Sequence, residues 1–372
     1  MRYIDVVQKV FQVLKGEKMT LRDKITNELL SKFPIEPKQQ PDPKYSFYYA
    51  DYKDNLFGGE LGKAALAAYG NGSGGETKES VRIDKNGIIR KYPPKMASIV
   101  SSSAMTFNLL GNERITIPND YTIPADDKSA CTVIPSGEYD IVYEKQLYTL
   151  KTGSSPANLD AFIYCEKTKT AIFCEMKNLE WLGKPGILKA AYLDKNNFFN
   201  PNNKNVGCGV DAFAVFENLI KKIAKPGEEG HEFLLSRFYV YDAWQMLKHT
   251  LAIYNYTSLV TRESVNTFNN GKIKSLANTF TNIVLLNVVN EIPDEWITDE
   301  ETKAEYSVRL ADERNQAHQF ISVMMNHANG LRRLFDNNCN AGLCIAYITA
   351  KEFSEMIAMS KERKEYLKRY FN

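Results

Sequence analysis

The sequence predicts an α/β fold, a mixed sheet with helices around it, preceded by a mainly helical and loop-rich N-terminal extension. Residues 138–150, 158–165 and 170–177 are three successive strand-like runs, the last two joined by the polar turn Glu166-Lys-Thr-Lys169. A helix-period segment follows at 241–255. Residues 282–290 (NIVLLNVVN) are then continuously apolar but for asparagine, the texture of a strand covered on both faces. Strands and helices mixed in this order around one sheet imply an α/β domain over 96–372, with 1–95 as the extension.

In chain order, apolar residues at helical spacing over 3–30 predict two amphipathic helices separated near Gly16. Pro34, Pro37, Pro41 and Pro43 then break up a polar loop, and 61–68 fits a short helix. The Gly-Asn-Gly-Ser-Gly-Gly run at 70–75 predicts a flexible loop ending near Pro93 and Pro94. Ser101, Ser102 or Ser103 can cap a short helix carrying Met105, Phe107, Leu109 and Leu110, closed by Gly111. Beyond the strands, a charged helix covers 300–328, GLCIAYIT (342–349) reads as a last strand, and a basic helix closes the chain.

Composition narrows the function classes. The chain has 372 residues, 44% of them apolar and 25% charged, with a formal net charge of +2. These values exclude wholesale disorder and a uniformly basic nucleic-acid coat, but leave room for a local basic groove. Charges interrupt Met1–Leu30, so no signal peptide is expected there, and no run of about 18 uncharged apolar residues occurs to span a membrane. The six scattered cysteines then predict a reduced, cytoplasmic protein.

The chemistry concentrates in 158–177. If 158–165 and 170–177 form a hairpin centred on the turn, Cys165 faces Thr170, and Asp160 faces Glu175. Opposed residues of an antiparallel pair share a face, with Cβ atoms about 4.5–5.5 Å apart. Lys177, two residues on, shares the face of Glu175. Two opposed carboxylates repel, and a divalent, oxygen-seeking cation compensates; Mg2+ is held by one or two carboxylates with substrate phosphate and water. Such an ion acidifies a bound water and neutralises charge on a phosphoryl oxygen. Lys177 would orient or deprotonate the attacking water and offset the developing anion.

An Asp on one strand followed by Glu-x-Lys on the next resembles the signature of the PD-(D/E)XK superfamily of restriction-endonuclease-like phosphodiesterases. Here it reads Asn158-Leu-Asp160, fourteen residues, then Glu175-Met-Lys177, with the apolar run AIFC before Glu175. Asn158 stands where the family motif has proline. The helix–strand–strand–strand–helix–strand order is similar to the family's αβββαβ core. The resemblance implies that Asp160 and Glu175 ligate Mg2+ (with Mn2+ as a substitute), that the Met176 carbonyl joins them, and that Lys177 serves the nucleophile. It also implies a nucleic-acid substrate, DNA in the first instance.

A bacterial subgroup of the superfamily is resembled over 96–290, through Ser101-Ser-Ser103 with Asn108, Glu144 in the first strand, and Gln245 in Gln-Met-Leu-Lys248. Glu144 is then either a third metal-site carboxylate or an outward strand residue. Gln245 and Lys248 lie on one helical turn, as phosphate contacts or as a polar helix face. Ser102 is a nucleic-acid contact or a helix cap. Lys151, Lys184, Lys189 and Lys195, interleaved with Trp181, Tyr192, Phe198 and Phe199, suit either a strand-tracking groove or an ordinary amphipathic segment. The basic run 361–369 reads as a solvated helix face.

The alternative to a catalytic hairpin is an edge hairpin on which Glu175 and Lys177 form a surface pair worth about 0–1 kcal/mol. At the level of function the rivals are a nucleic-acid-binding module of the same fold that does not cut, and a protein-interaction component; a homodimer is left open. Gly70-x-Gly72-x-x-Gly75 matches a dinucleotide fingerprint by letters only, since no apolar strand precedes it.

Overall fold

The computed structural model describes residues 19–33, 47–71, 75–83, 87, 89–123, 132–199, 211–227, 231–258 and 278–371. Among them the chain is an α/β protein with a six-strand mixed, curled sheet and nine helices. The sheet strands are β1 (Arg114–Ile117), β2 (Gly137–Leu147), β3 (Ala157–Cys165), β4 (Thr170–Lys177), β5 (Asn282–Val289) and β6 (Gly342–Thr349). They lie side by side in chain order. β1 to β4 pair antiparallel, while β5 joins β4, and β6 joins β5, in parallel. The helices are α1 (Leu21–Lys32), α2 (Lys63–Asn71), α3 (Ser102–Leu110), α4 (Ala212–Ile223), α5 (Ala243–Thr257), α6 (Glu300–Met325), α7 (Leu331–Cys339), α8 (Ala350–Met356) and α9 (Lys361–Leu367).

β4 and β6 have the bounds that hydrophobicity predicts, and β2, β3 and β5 differ at their ends. A covered sheet explains the continuous apolar runs. Phe162, Phe173, Leu285 and Ile345 pack on one face with residues of α4, α5, α6 and α7. Ile163, Ile172, Cys174, Met176 and Leu286 pack on the other with residues of α3 and α8. α5 starts at Asp242, whose carboxylate accepts from the Gln245 N–H at 3.1 Å. Of the three serines able to cap α3, Ser101 does so, accepting from Ala104 N–H at 3.2 Å. No helix among the described residues is long and apolar enough to cross a membrane.

Several expectations change. The second N-terminal helix is α1; the first, over 3–14, lies outside the described residues. The stretch expected as one flexible loop holds a two-stranded hairpin, Ser80–Ile83 with Ile89–Tyr92, while residues 72–74 lie outside the described residues. α4 is unanticipated, although Ala212, Val215, Phe216, Leu219, Ile220 and Ile223 repeat at helical spacing and are buried.

The basic run 361–369 is not wholly solvated. Arg363 Nε donates to the Asn108 carbonyl at 2.8 Å, satisfying the C-terminal end of α3. Gly111 has φ 87°, and a Cβ there would lie 2.7 Å from the guanidinium of Arg363. Arg369 lies against the rings of Tyr49, Tyr366 and Tyr370. Asn108, singled out by sequence, is a buried brace: it accepts from Phe57 N–H at 2.7 Å and donates to the Asn55 carbonyl at 2.9 Å and to the Tyr370 hydroxyl at 2.8 Å.

Candidate active site

The β3–β4 ladder pairs Cys165 with Thr170, as the turn predicts, and ends at Ala161 opposite Cys174; Asp160 and Glu175 are the next positions, one step beyond the last pair. On the other side of β3, Tyr143 pairs with Ala161 and Lys145 with Leu159, which leaves Glu144 opposite Asp160. Glu175 faces Asn287 on β5, and Asn287 faces Tyr347 on β6. One transverse row thus carries Glu144, Asp160, Glu175, Asn287 and Tyr347.

The row crosses a kink. Ala161 and Tyr143 belong to one face's core, whereas Leu159 and Leu147 belong to the other's. In unbroken strands each pair would share a face, so the alternation switches within β2 and β3, at the level of Glu144 and Asp160. Glu144 has φ 49°, a region that non-glycine residues occupy rarely and mostly under functional or packing constraint. Where β3 and β4 part, the Asp160 carboxylate replaces a strand carbonyl and accepts from Met176 N–H at 2.6 Å.

Glu175 is 4% exposed. Its Oε1 accepts from Lys177 Nζ and from Gln245 Nε2, each at 2.7 Å. Its Oε2 lies 2.9 Å from His249 Nε2. The other ring nitrogen of His249 is buried without a partner, so the geometry assigns the proton to Nε2 as donor. Burial pushes the Glu175 carboxyl up, but the Lys177 ammonium and the His249 and Lys177 hydrogen bonds more than reverse it, down to about 2. Asp160 goes the other way: burial, then the Glu175 and Glu144 charges, raise it well above the usual carboxylate range. Burial pulls Lys177 down, yet the charges of Glu175 and Asp160 prevail and raise it. Lys177 is therefore held as an ammonium, which suits orienting water and stabilising an anion and argues against its serving as a base.

The other expected residues have definite places. Glu144 accepts from Asn158 Nδ2, and burial, followed by the Glu76 and Glu175 charges, lifts it to about 7. Ser102 donates from Oγ to Glu180 at 2.5 Å and accepts from Asn178 N–H at 2.9 Å, so its hydroxyl ties α3 to the end of β4. Gln245 is committed to Glu175. Lys248, on the next turn of α5, is partly buried and makes no hydrogen bond or ion pair within the described residues. Of the two readings of this segment, burial excludes the stacking groove: Trp181, Tyr192, Phe198 and Phe199 are core residues, all at or below 5% exposure.

A cavity of about 180 Å³ opens beside the row, lined by Glu175, Lys177, Tyr241, Asn287 and Glu313 among others. A larger one of about 1020 Å³ runs along β6 and takes in none of Asp160, Glu175 or Lys177.

Among the described residues no three His, Cys, Asp or Glu side chains cluster to hold a metal ion. The donor set that remains is all oxygen: Asp160, Glu175 and the Met176 carbonyl. It suits a hard cation that keeps much of its water and needs one or two carboxylates. Burial first, and then the like charges of Glu175 and Glu144, raise Asp160, and a bound cation would offset both. Comparison of the chain with protein families, curated proteins and solved structures finds no match. What the fold and site define is a class: an α/β protein with a row of carboxylates across its central sheet and a lysine paired to one of them.

His249, Asn287, Glu313 and Glu76 escape the sequence reading. His249 had a signal, since it lies four residues after Gln245 and so on the same helix face. Asn287 had a weaker one, a lone polar residue inside a buried apolar run. Glu76, which accepts from Lys95 at 2.9 Å and from Ser103 at 2.8 Å, and Glu313 had none.

Proposed function

We propose that the protein is a Mg2+-dependent nuclease that hydrolyses phosphodiester bonds, with DNA as the substrate. The observation that carries this reading is the end of the β3–β4 hairpin: past its last pair, Ala161 with Cys174, Asp160 accepts from the Met176 N–H, and next to it Glu175 is bonded to Lys177, at one end of a central, doubly covered strand. Asp160, Glu175 and the Met176 carbonyl would hold the cation; Glu144, opposite Asp160 on β2, stays outside this donor set, since no three carboxylates cluster among the described residues. When bound, the ion supplies an acidified water and neutralises phosphoryl charge. Gln245 and His249 fix the Glu175 carboxylate, so both are positioning residues. Lys177 presents its ammonium to the attacked phosphoryl group, stabilising charge where it develops. Lys248 supplies a backbone-phosphate contact on the adjoining helix.

Incubation of plasmid DNA and of DNA and RNA oligonucleotides with Mg2+ or Mn2+ tests the proposal. Cleavage by the wild type is expected to fall about 10²–10³-fold in Lys177→Ala, the size of losing one transition-state donor, and to disappear in Asp160→Asn. Undiminished cleavage by Lys177→Ala refutes the assignment.

One observation favours a second reading, a nucleic-acid-binding module that does not cut. Asp160 is already engaged by the Met176 amide, and Glu175 by three donors. That reading predicts salt-sensitive binding without a metal-dependent product, and no heat of Mn2+ binding lost in Asp160→Asn.

A further inference from the structure

A carboxyl group outside the Asp160, Glu175 and Lys177 set faces the cavity that Glu175 and Lys177 line. Glu313, in the middle of α6, is 2% exposed, and its Oε2 has no hydrogen-bond partner. Tyr241 and Asn287, on the wall of that cavity, come close to each other, yet the Tyr241 hydroxyl and Asn287 Oδ1 make no well-formed hydrogen bond. Native interiors leave few such atoms unpaired. Tyr241 and Asn287 are near enough to serve each other, so it is the Glu313 carboxyl, lining the cavity with Oε2 unpaired, that leaves a polar group for a ligand to meet.

The charged and titratable groups facing Glu313 come from four elements. They are Arg309 one turn earlier on α6, Lys177 on β4, Asp242 and Tyr241 ahead of α5, and Tyr347 on β6. Burial, aided by Asp242, outweighs the two cations and lifts Glu313 to about 8. The group therefore carries a proton across the neutral range. Lys177 is ion-paired to Glu175 at 2.7 Å, and Asp160 is occupied by the Met176 amide. Phosphodiester cleavage expels an alkoxide, a poor leaving group unless protonated, and a donor with a pKa near the working pH is the effective kind.

We propose that Glu313 is the general acid of the cleavage reaction, giving its proton to the departing sugar oxygen in the cavity it shares with Lys177. The assignment rests on the phosphodiesterase reading above. A water oxygen forms the new bond to phosphorus and its proton passes to solvent. The bond from phosphorus to the leaving oxygen breaks with its electron pair going to that oxygen, which takes the Glu313 proton. Glu313 is then reprotonated from solvent. Tyr241 and Asn287 hydrogen-bond the departing group.

Single-turnover cleavage of one oligonucleotide in oxygen and sulfur forms tests this. Sulfur is placed at the 3′ or at the 5′ bridging position of the scissile bond, because a thiolate leaves without a proton. Glu313→Gln is expected to slow the oxygen ester by about 10²-fold or more while the sulfur ester stays within about 3-fold of wild type. Glu313→Asp, which still has a proton to give, is expected to fall between them on the oxygen ester; it serves equally if the glutamine variant does not fold. Equal slowing of both esters overturns the assignment, as does an unchanged oxygen-ester rate. Wild-type protein that cuts neither ester refutes the phosphodiesterase reading itself.

Discussion

Replacing Glu313 by glutamine removes a proton-binding group while keeping its shape. Because the folded state holds Glu313 protonated, glutamine is close to a neutral copy of it, and the stabilities of the two proteins separate between pH 4.5 and about 8, where only the unfolded wild-type chain has lost the proton. The sign follows from linkage. An acid whose folded pKa is raised binds a proton in the folded state where the unfolded chain has lost it, so its contribution is full below the unfolded value of 4.5 and is lost as pH rises through about 8. A rise from 4.5 to about 8 corresponds to roughly 4–5 kcal/mol. Water entry and movement of Arg309 relieve part of it, so this is an upper figure. Urea melts at pH 5 and pH 9, followed by tryptophan fluorescence, measure it in both proteins. Glu144, also raised, titrates in both and cancels in the difference. Glu313→Gln is expected to gain several kcal/mol on wild type between the two pH values. A difference between the proteins that stays constant within about 0.5 kcal/mol would show Glu313 charged and paired at neutral pH, and the general-acid role would go with it.

Two further outcomes follow from particular contacts. His249→Leu strips the donor from Oε2 of the buried Glu175; stability should drop by about 1–3 kcal/mol, and Mn2+ affinity, read by calorimetry, by about 10–100-fold, whereas unchanged Mn2+ binding would mean that Glu175 needs no such support. Gly111→Ala forces a side chain onto φ 87° and into the Arg363 guanidinium; a loss of about 1–3 kcal/mol in urea melts is expected, and a neutral effect would show that the α3–α9 contact is not made as described.

How far the sequence reached varies with the distance between partners along the chain. The hairpin over 157–177 was legible because a four-residue turn and a period of two leave few registers open. The apolar residues before Glu175 marked β4 as central rather than edge, and its first seven residues are indeed buried. The aromatics of 181–199 left two readings open because composition does not say which way a ring points; Tyr192, Phe198 and Phe199 fill the space under α4 and α5, and Trp181 packs in a separate cluster with residues of α1. Charge counting misled at 361–369, since unpaired carbonyls at the end of α3 and a group of tyrosines draw two arginines inward.

The sequence by itself determined the α/β class, the strand runs, and the β3–β4 register as far as Ala161 opposite Cys174, because these depend on local period and turn length. Only the tertiary structure decided what surrounds them. His249 and Gln245 reach Glu175 from more than 65 positions away, and Glu313 reaches the shared cavity from further still. Such meetings arise from helices packing onto a sheet to bury apolar surface, and no short-range pattern encodes them. The protonation states follow from the same packing: removal of water sends Asp160, Glu144 and Glu313 upward, while close positive charge and hydrogen bonds hold Glu175 down.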